Sequence, residues 1–300
     1  MLIPKEIAIL GPTASGKTAL ALQLASEFNG VILSLDSLAL YKEIDIASAK
    51  PTPKERGDII HFGIDHLSPN EPFNVTLFFD LYRQASEFAK RHKKVLFIVG
   101  GTGFYLKAML DGLSTKPPIS KVTKERTRMV LEDLQNAQRF AQAVDPNFSK
   151  RVEKFDRYRL EKWYELFFGT GQIPSLYQAR TKQPPLIKDL PLFEIDIERP
   201  ILRERIKART ESMIKNGLIE EVKGLVKRYG KEPPCMRAIG IKEVIEYLEG
   251  KYDLKTLKEQ ISTHTAQLAK RQQTFNKTQF PIPVTKASIE ELKGIIEIYV

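Results

Sequence analysis

Cysteine occurs once in these 300 residues, at Cys235. No intrachain disulfide can form, and a lone thiol of this kind reads as a buried bystander. No apolar run approaches the ~20 residues of a spanning helix. The first residues enter a strand almost at once, with no charged, apolar and cleavable leader. A soluble cytoplasmic protein, with no membrane contact and no obligate protein partner, is the expectation. Internal repeats and low-complexity tracts are lacking too. Aromatic residues are only 9%, but hydrophobic residues reach 42%, enough for a buried core. His61 and His66 have no companions at metal-ligand spacing, so a structural or surface role is expected for both.

Positive charge is present in excess. Lys and Arg number 47 against 37 Asp and Glu, a formal charge of +10. Through Lys116 the balance is 13 basic to 12 acidic; the remainder holds 34 and 25. A neutral first third beside a basic remainder suggests a small-molecule site joined to a surface for a polyanion.

The first third alternates short apolar runs with helical patterns. Ile7–Leu10, Val31–Leu35 and Val95–Val99 read as buried parallel strands. Thr18–Phe28, Phe73–Arg91 and Thr102–Leu110 read as helices, which makes an α/β class with a parallel sheet flanked by helices. Lys116-Pro117-Pro118 interrupts this pattern, and Gln183-Pro184-Pro185 marks a second break. Between them the chain is charged, helical from Thr123 to about Phe168, and free of strand signals. The expected organisation is a core from 1–116, an all-helical insertion over 117–187, and a mostly helical second part of the core over 188–300. Phe155, Tyr158, Trp163, Tyr164, Phe167 and Phe168 are expected to form the insertion's own core. Phe193–Ile197 alternates as a strand with one polar face, and a short final strand is expected around 282–284.

Gly11-Pro12-Thr13-Ala14-Ser15-Gly16-Lys17-Thr18 satisfies G-x-x-x-x-G-K-[ST] between an apolar strand and a helix, the context that motif needs. Its backbone N–H groups converge on phosphate oxygens, and the helix N-terminus adds partial positive charge. Lys17 can reach the outer phosphate, and the Thr18 hydroxyl can ligate Mg²⁺. The motif specifies a di- or triphosphate rather than a nucleotide. A hydrolysing P-loop protein usually ends a neighbouring strand in an acid that helps hold Mg²⁺. Val95–Val99 ends instead in Gly100-Gly101-Thr102-Gly103. Val31–Leu35 does end in an acid, Asp36, and strand C-termini face the ligand crevice. Asp36 is therefore a Mg²⁺ partner or a general base. Arg205 and Arg209, four apart, share one helix face.

The ordered set of blocks resembles the bacterial tRNA dimethylallyltransferases. The similarity runs through Gly11–Thr18, Ser34-Leu35-Asp36-Ser37, Ala49-Lys50-Pro51 and Val99–Tyr105. It continues through Leu202–Arg209, Gly217–Val222, Arg237-Ala238-Ile239-Gly240-Ile241-Lys242-Glu243 and Ala269-Lys270-Arg271-Gln272, spanning about residues 7 to 275. The resemblance implies a P-loop core with a helical insertion. It also implies transfer of a dimethylallyl group from dimethylallyl diphosphate to N6 of adenosine 37, beside the anticodon of tRNA. On this reading Gly11, Thr13, Ala14, Ser15, Gly16, Lys17 and Thr18 hold the donor's diphosphate with Mg²⁺, and Arg209 clamps it. Asp36 becomes the general base. Asp36, Ser37, Leu38, Ala39 and Thr102 meet the target nucleotide. Arg159, Lys162, Arg237, Lys242, Lys270 and Arg271 are candidates for the wider RNA surface.

One block departs from the family. Where Arg-x-x-Arg-Ala-Leu-Glu is usual, this chain reads Arg159-Leu160-Glu161-Lys162-Trp163-Tyr164-Glu165. Lysine at 162 lacks the bidentate geometry of arginine. Phe275 stands where the family commonly has Trp. Two other enzyme classes share parts of the pattern: a small-molecule kinase using ATP, and a prenyltransferase acting on a free nucleoside monophosphate. A non-catalytic RNA-binding protein that retains a phosphate loop is the remaining class.

Overall fold

The computed structural model describes residues 5–101, 103–150 and 155–300. The described residues form two compact units, one within 5–110 and 187–300, the other within 111–186.

The first unit is a parallel sheet covered by helices. In chain order it contains β1 (Glu6–Leu10), α1 (Lys17–Glu27), β2 (Gly30–Ser34), the single turn α2 (Pro53–Arg56), β3 (His61–Phe62), α3 (Val75–His92), β4 (Val95–Gly100) and α4 (Gly103–Asp111). The second unit is built of helices, α5 (Lys121–Val130), α6 (Leu134–Val144), α7 (Pro146–Ser149), α8 (Arg157–Thr170) and α9 (Pro174–Thr181), with an isolated antiparallel bridge between Ser114 and Lys182. The chain returns to the first unit with β5 (Leu192–Ile195), α10 (Arg199–Lys215), α11 (Leu218–Tyr229), a 3₁₀ turn (Pro234–Arg237), α12 (Ile241–Leu248), α13 (Leu254–Gln279), β6 (Val284–Ala287) and α14 (Ile289–Tyr299). Among the described residues the sheet order is β3-β2-β4-β1-β5-β6.

Strand β1 lies inside the sheet, with β4 on one side and β5 on the other, and Leu10 pairs with both Gly100 and Glu194. That is why Ile7, Ala8, Ile9 and Leu10 are apolar without alternation: neither face nor edge meets water. Leu20, Leu24, Leu292 and Ile296, from α1 and α14, close one face over Ile7, Ile9 and Phe193. Strand C-termini then share one end of the sheet, and the loops that follow β1, β2 and β4 carry the functional motifs.

Four sequence expectations are corrected. The strand near Phe193 has no polar face: all four residues of β5 are buried, Glu194 included, because β6 pairs along its outer side and α13 covers it. The last strand is Val284–Ala287 rather than 282–284, and α14 follows it. Phe155 and Tyr158 are exposed, whereas Trp163 and Tyr164 are buried with Phe167 and Phe168 packed against them. The stretch expected to be helical from Thr123 to Phe168 divides into separate helices, with Asp133, Asp145 and Asp156 capping α6, α7 and α8.

Cys235 is buried, and its thiol donates to the Pro69 carbonyl oxygen at 3.3 Å. Among the described residues no helix is long and apolar enough to cross a membrane.

Candidate active site

The loop from Gly11 to Thr18 joins β1 to α1. Its shape depends on left-handed backbone at Ala14 (φ 64°) and Gly16 (φ 101°). Ala14 carries a Cβ, so this conformation is strained by about 1–2 kcal/mol. Alternating backbone hands of this kind turn successive N–H groups inward and make a concave anion site. Two long-range contacts hold the loop. Arg205 Nη1 donates to the Ser15 carbonyl at 3.0 Å, and the Thr13 N–H donates to Gln272 Oε1 at 2.9 Å. Ser15 Oγ is fully buried without a hydrogen-bond partner among the described residues.

Lys17 Nζ folds back to donate to the Pro12 carbonyl at 2.8 Å. Its pKa is lowered to about 8, by burial first and the Arg209 cation second, with the Asp36 and Glu194 carboxyls opposing both. Arg209 is itself depressed by burial and supported by Asp36. Lys17 is thus within electrostatic reach of Arg209, Asp36 and Glu194, and Arg209 of Asp36. This is a cationic pocket with acids at its margin, suited to a phosphorylated ligand.

Asp36 follows β2 and is exposed. Its Oδ1 accepts from the Leu38 N–H at 2.9 Å, a local turn that fixes the carboxylate's direction. Ser37 and Leu38 are half-buried, and Ala39 is buried beneath them. Thr102 lies outside the described residues. Thr18 is exposed and lines a cleft of about 1060 Å³ with Lys17, Arg205 and Arg209. The cleft extends to Lys50 and Thr52, so the Ala49-Lys50-Pro51 block forms part of its wall. Lys50 is nearly buried and binds Asp45 and Asp65 at 2.6 and 2.5 Å, so it braces the wall. Glu221 ties down the same segment by accepting from the N–H groups of Asp45, Ile46 and Ala47.

Among the described residues no group of three or more His, Cys, Asp or Glu could hold a metal by itself. An exposed Thr18 hydroxyl in a phosphate loop fits the other way of binding Mg²⁺, in which substrate phosphates and waters complete the shell.

The expected RNA contacts divide between the units. In the first, Arg237, Lys242, Lys270 and Arg271 are all exposed. In the second, Arg159 pairs with Asp156 at 3.4 Å, and Lys162 pairs with Glu165 at 2.9 Å and Glu161 at 3.2 Å. Both line a hollow of about 220 Å³ floored by Trp163 and Asp145. Trp163 Nε1 donates to Asp145 Oδ2 at 3.0 Å, so this tryptophan is a core anchor of its unit.

Three residues at the first unit's crevice were not singled out by sequence reasoning: Gln272, Asn276 and Glu194. Asn276 Nδ2 donates to Glu194 Oε1 at 3.0 Å, and both are buried. Burial raises the Glu194 pKa. Gln272 falls inside the Ala269–Gln272 block, which was a signal, but no spacing rule links it to a loop 259 residues away.

The chain is similar to known proteins along most of its length. The model of the family described as IPP transferase matches residues 39–279, and that described as isopentenyl transferase matches 5–60. A tRNA dimethylallyltransferase of Sulfurovum sp. (strain NBC37-1) is 47% identical over 293 residues, covering 97% of each chain. That of Aliarcobacter butzleri (strain RM4018) is 51% identical over 276 residues, covering 92% of each. Among solved structures, the full-length tRNA isopentenylpyrophosphate transferase of Bacillus halodurans superposes with a TM-score of 0.70 at 27% identity, covering 98% of this chain and 94% of that one. A eukaryotic dimethylallyltransferase acting on tRNA superposes with a TM-score of 0.75 at 26% identity, covering 95% and 74%.

Proposed function

The chain belongs to the IPP transferase family, and on that premise we propose that it transfers the dimethylallyl group of dimethylallyl diphosphate to N6 of adenosine 37 in tRNA, releasing diphosphate. The observation that carries the reading is a complete phosphate loop beside Asp36, while β4, its neighbour in the sheet, ends in glycine instead of a hydrolytic acid. Such a site can bind a diphosphate and accept a proton without being built for hydrolysis.

The exocyclic amine of adenine is a weak nucleophile, because its lone pair is delocalised into the ring. The allylic carbon C1 compensates, since it tolerates positive charge as its bond to oxygen breaks. The amine's pair forms the new C–N bond, and the C1–O pair leaves on diphosphate. The loop N–H groups, Lys17 and Arg209 stabilise the charge that develops there. Lys17 releases the Pro12 carbonyl in favour of phosphate oxygens. Mg²⁺, held by Thr18 and the diphosphate, would supply further neutralisation. Asp36 takes the amine's proton on the oxygen that Leu38 does not occupy. The base must leave its stack to reach this crevice, which is easier in an anticodon loop than in a duplex. A tRNA substrate implies action in the cytoplasm.

The test is incubation of the protein with tRNA and radiolabelled dimethylallyl diphosphate, beside a parallel reaction with γ-labelled ATP and candidate small acceptors. Label entering tRNA at position 37 without ATP is the expected result. Phosphoryl transfer from ATP to a small acceptor, with unlabelled tRNA, would overturn the reading.

A further inference from the structure

Helix α13 touches two crevice turns with one face. Gln272 Oε1 accepts from the Thr13 N–H in the phosphate loop at 2.9 Å. One turn later, Asn276 and its neighbour Phe275 press on the start of α4, where a Cβ at Gly103 would stand 2.6 Å from Asn276 Oδ1 and 2.9 Å from Phe275 Cδ1. The two turns belong to adjacent strands, since Leu10 of β1 pairs with Gly100 of β4.

A primary amide has one accepting end and one donating end. Thr13 presents a donor, so it takes the oxygen of Gln272, and the NH₂ group must point elsewhere. It lies against Gly101, where a Cβ would stand 2.4 Å from Nε2. Gly101 has no side chain, so this amide has room at the turn after β4. Gln272 is only half-buried, and among the described residues no acceptor pairs with Nε2. A donor is therefore held in fixed orientation between the diphosphate loop and the turn where the acceptor base would sit. Holding it there in advance removes an ordering cost when the substrate arrives.

We propose that Gln272 is a substrate-recognition residue, whose Nε2 donates to a ring nitrogen of the base being modified. The inference rests on the transferase reading above. An adenine carries an acceptor on each side of its exocyclic amine, N1 and N7, so a donor to either one sets the amine in register with the allylic carbon. Guanine presents a carbonyl oxygen where adenine has the amine, and gives no productive alignment.

The experiment uses the whole protein and three tRNAs, carrying adenosine, 1-deazaadenosine or 7-deazaadenosine at the modified position. Gln272→Glu keeps the length and an oxygen for Thr13 but replaces the donor; Gln272→Met loses both ends and is run beside it. The expected result is that one deaza tRNA loses ~10–100-fold in kcat/KM with the unmodified protein, the usual worth of a base-edge contact. Gln272→Glu should lose a similar factor on the adenosine tRNA and nothing further on that deaza tRNA, while Gln272→Met, which also frees the Thr13 N–H, should add a loss common to all three tRNAs. Equal transfer to all three tRNAs by the unmodified protein would overturn the proposal. So would variants that lose the same factor on every tRNA, which is what a purely structural bracing of the loop predicts. Absence of label in every tRNA with the unmodified protein would overturn the transferase reading first.

Discussion

Asp36 and Glu194 are two carboxyls near one cation, and their surroundings give them different work. Asp36 is exposed and oriented by the Leu38 N–H; Glu194 is buried and held by Asn276. Asp36→Asn keeps the shape and loses the basicity. Turnover should fall by ~10²–10⁴, the range for a positioned base, with little change in affinity for tRNA or the prenyl diphosphate. Recovery of near-normal turnover in millimolar Mg²⁺ would show Asp36 to be a metal partner instead. Glu194 couples to stability in the opposite sense to a carboxylate whose pKa a cationic partner depresses. Burial raises its folded-state pKa, so the stability it contributes is present at low pH and is lost as pH rises through that raised value. Glu194→Gln keeps the acceptor for Asn276 and never ionises. It should melt a few degrees above the parent at pH 7 to 8, and the gap should close below about pH 4, where the parent's glutamate is neutral in both states. Equal melting temperatures across that range would contradict the assignment. Asp36 was legible because it ends an apolar strand. Glu194 was not, because the alternation Phe-Glu-Ile-Asp reads the same for a half-exposed strand as for one covered by a later helix.

At the scale of elements, the second unit shows how glycine placement can be tested. Gly112 and Gly171 both have positive φ, 79° and 66°. A Cβ at Gly112 would lie 1.9 Å from the Gln183 carbonyl oxygen, where the two ends of the unit run side by side; at Gly171 nothing lies within 4 Å. Gly171→Ala should cost about 1–2 kcal/mol, the strain of a left-handed residue alone. Gly112→Ala adds a backbone collision and should cost at least about 2 kcal/mol more. Denaturant unfolding of the two variants measures the difference, and equal losses would refute the collision. The elements themselves were mostly readable. β1, β2 and β4 differ from their expected spans by a residue or so, because continuous apolar runs bounded by glycine or acid have one interpretation. Helix α14 was missed although Ser288 and Glu291 form a capping box at its start. The breaks at Asp133, Asp145 and Asp156 were also there to be found, since each aspartate accepts from the N–H three residues on.

For the whole molecule, the charge imbalance is the legible property. The basic excess after Lys116 includes Lys270 and Arg271, exposed on the same helix that carries Gln272. Replacing condensed counterions on RNA makes affinity fall steeply with salt. Binding of tRNA should weaken at least roughly tenfold between about 50 and 200 mM salt. Lys270→Ala and Arg271→Ala should each flatten that slope while leaving the KM for the prenyl diphosphate unchanged. Affinities independent of salt in a filter-binding titration would count against a phosphate-tracking surface. Fold class followed from the alternation of strands and helices. The bracing of the phosphate loop by Arg205 and Gln272 did not, because both contacts join residues far apart in sequence.

The position of β1 inside the sheet has a consequence for how the protein is made. Its partner β4 leaves the ribosome early, but β5 follows only after the helical unit. Roughly ninety residues separate Gly100 from Leu192, so at about 5–20 residues per second the nascent β1 stands as a bare edge for on the order of ten seconds. Throughout that interval Ile7, Ile9 and Leu10 offer an unpaired apolar strand to any neighbouring chain. The phosphate loop waits longer still, gaining Arg205 with α10 and its second brace, Gln272, only when helix α13 is synthesised.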